Sequence, residues 1–134
     1  MSWKTIEEVR YIVIHGYDTT EDIGVEEIRM DHLRRGWFDI GFHWVARRNG
    51  IIETGRPQDI PGGHARGFNH LSLGICIVGR EPNVAQLTAT AVLVRDLKSV
   101  HPDAKVVGIN DLPNVNKPGP GFDVIEWWAN EERT

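Results

Sequence analysis

Two kinds of apolar pattern alternate along the chain. The first is a short run rich in β-branched residues. YIVIH at 11–15, LGICIV at 73–78 and the pair Val106 and Val107 read as strands buried in a sheet. The second is a recurrence every three or four positions. Over 24–35 it puts Val25, Ile28, His32 and Arg35 on one face and leaves Glu26, Glu27, Arg29 and Asp31 for solvent. Acidic residues early and Arg34 and Arg35 late suit the helix dipole, and Gly36 is placed to close the helix. A second helix opens at Asn83, where Gln86 completes a capping box, and carries Leu87, Ala91, Val94 and Leu97 on one face to about Val100. Pro102 ends it and leaves His101 as an exposed residue. Residues 40–46 and 51–53 read as strands joined by a hairpin turn at Asn49-Gly50. A last helix starts at Asp123, with Trp127 and Trp128 lying over the core. Strand, helix, hairpin, strand, helix, strand, helix is the order of an α/β single domain over 1–134, a mixed central sheet flanked by helices.

Composition narrows the function classes. With 19 acidic against 15 basic residues the net charge is −4, and no concentrated basic face is visible, so general nucleic-acid binding is not expected. The single cysteine, Cys76, sits in an apolar strand and reads as a small core residue. The N-terminal MSWKTIEEVR has no apolar signal core and no membrane span is visible, which points to a protein kept in the cytoplasm.

Three stretches carry candidate chemistry. His15 ends a buried strand and is followed by the polar loop GYDTT, a place where a scaffold can hold a ligand side chain at an opening. The long loop 54–71 mixes Gly, His, Asn and Arg and reads as a binding loop. From Lys105 the segment KVVGINDLPNVNKPGPGFD runs from a strand through an irregular loop to a helix start.

Together these segments resemble the zinc-dependent N-acetylmuramoyl-L-alanine amidases, the family of phage-lysozyme amidases and peptidoglycan recognition proteins. The resemblance is carried by YIVIH at 11–15, EIRMDHLRRGWFDIGFHWVARRNG at 27–50, GGHARGFNHLSLGICIVG at 62–79 and KPGPGFDVIEWW at 117–128, in the family's order. Among these proteins the short phage type is the nearest, which implies a phage-encoded chain. The family holds zinc with two His and one Cys and leaves the fourth position to water, whose pKa the metal lowers. Carried over, His15 is the first ligand, but Ile109 and Gly119 stand at the other two positions. Phe42 stands where the family has an assisting tyrosine; Lys117 keeps the lysine before the missing Cys. His64, Arg66 and Asn69 fall on the loop the family places beside its substrate. The resemblance therefore implies an amidase-fold protein without a zinc cofactor, keeping a role in binding peptidoglycan fragments. It leaves two alternatives open. One is an active amidase in which His15 is joined by His64, His70 or Asp111. The other is a protein-interaction module of the kind by which some phage lysozymes restrain an RNA polymerase.

Overall fold

The structure, a computed structural model, describes residues 5–134. Five strands, β1 (Tyr11–Tyr17), β2 (Trp44–Ala46), β3 (Ile52–Thr54), β4 (Ser72–Val78) and β5 (Lys105–Gly108), form one sheet in the order β3-β2-β4-β1-β5. All pairs are parallel except β2 with β3, so the sheet is mixed, as expected. Helices α1 (Val25–Arg34), α2 (Val84–Val100) and α3 (Val124–Glu132) flank it. None of the described helices is long and apolar enough to cross a membrane.

Side chains of a strand alternate between faces, and β1 divides accordingly. Ile12 and Ile14 join Leu73, Ile75, Ile77 and Val106 beneath α2 and α3, where Val94, Leu97, Val124 and Trp128 complete the larger core. Val13 packs on the opposite face with Ala65, Val107, Ile109 and Leu112. His15, two residues on from Val13, takes that second face at the C-terminal end of β1. Alongside it, α1 covers Val45, Cys76 and Val78 with Val25 and Ile28, and Ile40 and Phe42 fill in.

Three sequence expectations need correction. The strand over 40–46 shortens to Trp44–Ala46. The backbone of 41–43 is drawn instead towards the long loop, taking bonds from Gly63 N to Gly41 O, Arg56 N to Phe42 O and Gly55 N to His43 O. Arg35 does not join the buried face of α1: it caps the C-terminus, stays exposed and pairs with Asp31 at 3.0 Å. His101 is half-buried, because the chain at 6–9 runs beside it. The turns hold as read: Gly36 and Gly50 have φ of 89° and 87°, a region that glycine enters without the clash of a Cβ.

The long loop is ordered by its own polar groups. Asn69 Oδ1 accepts from the backbone N–H of both His64 and Ala65. Arg56, almost wholly buried, donates to the carbonyls of Ile40 and Pro61. A short 3₁₀ turn, Asn69–Leu71, then delivers the chain into β4.

Candidate functional site

The C-terminal ends of β1 and β5, the long loop and α1 enclose a cavity of about 360 Å³, lined among others by His15, Tyr17, His32, Phe42, Ile109 and Lys117. Parallel strands open their C-terminal ends towards such sites, because the crossovers leave a crevice there.

His15 sits at its floor, 4% exposed. Its Nε2 lies 2.9 Å from Nδ1 of His64, and Nε2 of His64 lies 3.3 Å from the hydroxyl of Ser72. Burial, with the nearby charge of Lys117 and with His43, pushes the His15 imidazole down to about 3. Burial also holds His64 well below the usual histidine range, reinforced by His15, His43 and Lys117. Both rings are therefore neutral at neutral pH. His43, beside them, accepts from Gly74 N at Nδ1, and its Nε2 meets Ile60 O at 2.8 Å. Tyr17 donates to Asp31, and burial and that carboxylate push its phenol up to about 12.

Of the two positions that the resemblance assigns to metal ligands, Ile109 lies beside His15 and Gly119 lies over its neighbour Gly16. In the β1–β5 register Ile14 stands opposite Gly108, so Ile109 follows next to His15. The segment at 119–120 crosses over Gly16, where a Cβ would stand 3.1 Å from Cα of Pro120 and 3.7 Å from O of Gly119. Neither position offers a donor. Ile109 is buried against Val13, Val107 and Leu112. At Gly119 the space a side chain would enter is taken by Asn110, whose Oδ1 lies against the place of a Cβ. The alternative donors do not converge either. Asp111 Oδ2 accepts from Gly108 N, and His70 is exposed on the 3₁₀ turn. Among the described residues no three His, Cys, Asp or Glu side chains are grouped to hold a metal. The donor set here does not fit the family's zinc.

The other singled-out residues separate. His64 and Lys117 line the cavity; Lys117 is exposed and makes no hydrogen bond or ion pair among the described residues. Phe42 presents a ring 5.0 Å from His15 and no hydroxyl. Asn69 spends its carbonyl on the loop backbone, and exposed Arg66 is not among the lining residues. Tyr17, His32, Arg35 and Trp37 line the cavity without having been singled out for it. Tyr17 could have been found from its place two residues after His15 on the same strand face. Trp37 and Arg35 follow only from how the chain leaves α1.

A mixed sheet with a cleft at the strand ends, floored by a strand-end histidine and overhung by a Gly-rich loop, defines an amidase-like α/β domain. The N-acetylmuramoyl-L-alanine amidase family model matches residues 5–122, and the chain belongs to that family. The endolysin of Klebsiella phage KP32 is 37% identical over an alignment of 137 residues, covering 94% of this chain and 89% of that protein. The structure of the N-acetylmuramoyl-L-alanine amidase LysCS from Clostridium intestinale superposes with a TM-score of 0.82 at 27% identity, over 92% of this chain and 84% of that one. Human peptidoglycan recognition protein Iβ, solved with a glycosamyl muramyl pentapeptide, shares the fold at a TM-score of 0.79 and 21% identity, over 93% and 85% of the two chains.

Proposed function

We propose that this chain is a phage-encoded amidase-fold protein that binds muropeptides in the cavity over His15 and does not hydrolyse them by zinc catalysis. One observation supports the reading: Ile109, beside His15, and Gly119, over its neighbour Gly16, bring no donor side chain, and Asn110 fills the space at Gly119. His15 without a donor at 109 or 119 is far from the full ligand set on which strong zinc binding depends. The cavity that remains is of a size for a small ligand, and it combines the aromatic ring of Trp37 with the cation of Lys117. The kinship with endolysins and with a recognition protein solved with a muramyl peptide supports a cell-wall fragment as the ligand.

The phage endolysin kinship also favours a second reading, an active amidase. One preparation separates the two. Protein purified in the presence of zinc is assayed for metal content, for binding of a muramoyl tripeptide and for release of the peptide. We expect less than stoichiometric zinc, and binding without cleavage. Stoichiometric zinc with peptide release establishes the second reading.

A further inference from the structure

The hydrogen bonds behind His15 have a direction. Ser72, fully buried, places its hydroxyl 2.8 Å from the carbonyl of Phe68 and 3.3 Å from Nε2 of His64. A hydroxyl has one proton, and a carbonyl can only accept, so Ser72 donates to Phe68 and accepts from His64. His64 therefore carries its proton on Nε2, and its Nδ1 is an acceptor. The 2.9 Å contact to His15 then requires His15 to donate from Nε2. Its Nδ1 is left as a lone pair, with no partner among the described residues, on a ring that lines the cavity. His64 has little freedom to turn and reverse this order. It lies over Gly74 and Gly62, where a Cβ would stand 2.6 Å from its Cγ and 2.5 Å from its Cδ2 respectively.

The rest of the cavity offers donors. Lys117 is a free ammonium among the described residues, and His32, whose Nδ1 accepts from Gly41 N, keeps its proton on Nε2 when neutral. One acceptor on the floor, with a buried donor at His32 and an exposed one at Lys117, complements a group that is itself both donor and acceptor. We propose that Ser72 and His64 act as positioning residues that fix His15 as a hydrogen-bond acceptor, making the cavity selective for an intact muramoyl amide through its N–H. The inference rests on the muropeptide reading above: the amide nitrogen donates to His15 Nδ1 and the carbonyl oxygen accepts from Lys117.

The test has a spectroscopic and a binding arm. Nitrogen-15 correlation spectra of the histidine rings should show His15 protonated at Nε2 and bare at Nδ1. N-acetylmuramoyl-L-alanyl peptide should bind roughly tenfold more tightly than its ester analogue, in which oxygen replaces the alanine nitrogen, the loss expected for one hydrogen bond facing an unpaired acceptor. In Ser72→Ala the order of the relay is released, so the two ligands should converge in affinity and the His15 tautomer should shift. Ser72→Thr, which keeps the hydroxyl, should restore both. Should Ser72→Ala fail to fold, the wild-type tautomer and the amide-to-ester ratio decide alone. A protonated Nδ1, or equal binding of amide and ester, overturns this inference while leaving muropeptide binding intact. No binding of either ligand overturns both.

Discussion

At the scale of single residues, the neighbourhood of His15 reads as a ligand triangle with two corners filled by other means. Ile109 extends the apolar cluster of Val13, Val107 and Leu112, and Asn110 lies over Gly119. Returning the donors is therefore more than a double substitution. Ile109→His with Gly119→Cys brings the new Cβ at 119 against the Asn110 amide, an exposed side chain that has to turn away. We expect the double variant to take up zinc weakly. Adding Asn110→Ala should tighten it, with near-tetrahedral geometry, about 2.0–2.1 Å to nitrogen and about 2.3 Å to sulfur. Calorimetric zinc titration of parent, double and triple variants checks this; a triple variant that binds no more zinc than the parent shows that these positions do not converge on His15. That positions 109 and 119 carry no donor side chain is plain in the sequence, and the flanking VVG and PGFD are what set their register in the resemblance. The reason Gly119 is tolerated is not plain there. It depends on Asn110, nine residues away, folding back across the loop.

At the scale of elements, the caps were readable and the ties between elements were not. Asn83 and Gln86 form the capping box that their spacing announced, with Asn83 Oδ1 accepting from Gln86 N. The structure gives Gln86 a second task. Its amide, fully buried, donates to the carbonyls of Ala46 in β2 and Val78 in β4, and Arg48 donates to its Oε1. One side chain thus joins α2 to two strand ends, a long-range role that no local pattern reveals. Two expectations follow. Asn83→Ala should lower stability by about 1 kcal/mol, the usual loss for a cap. Gln86→Ala should cost more, roughly 2–4 kcal/mol, because two buried carbonyls lose a donor and Val78 keeps only the longer contact with Arg48. Urea unfolding of the two variants gives the order, and equal losses would mean that Gln86 is only a capping residue. Similarly, Glu53 Oε1 accepts from Val25 N across 28 positions at the start of α1, a tie that no local pattern reveals.

At the scale of the whole molecule, burying four histidines makes the fold sensitive to acid. His15, His32, His43 and His64 are each at most 4% exposed, and burial is the first cause lowering every one of them, His15 to about 3. The sign follows from where protons bind. Above the unfolded value of about 6.5, both states hold these rings neutral and pH has no leverage. Below it the unfolded chain takes up protons that the folded chain refuses, so stability falls as pH declines. Each histidine contributes up to about 1.4 kcal/mol per pH unit until its own folded value is reached. Carboxylates such as Asp39 and Glu27, held below their ordinary range by hydrogen bonds, add to the loss only near pH 4, so the window from 6.5 to 5 isolates the histidines. Against a total stability of roughly 5–15 kcal/mol, a loss of this size should lower the urea midpoint steeply across that window. The same experiment weighs the metal question. A bound ion stabilises the folded state in proportion to the logarithm of its concentration over Kd, so excess zinc at pH 7.5 should leave the midpoint where it was. A midpoint flat between pH 6.5 and 5 would mean that these rings are hydrated rather than buried. An upward shift with zinc, abolished in His15→Ala, would mean that His15 has found metal-binding partners in solution and that the chain holds metal with donors other than those at 109 and 119.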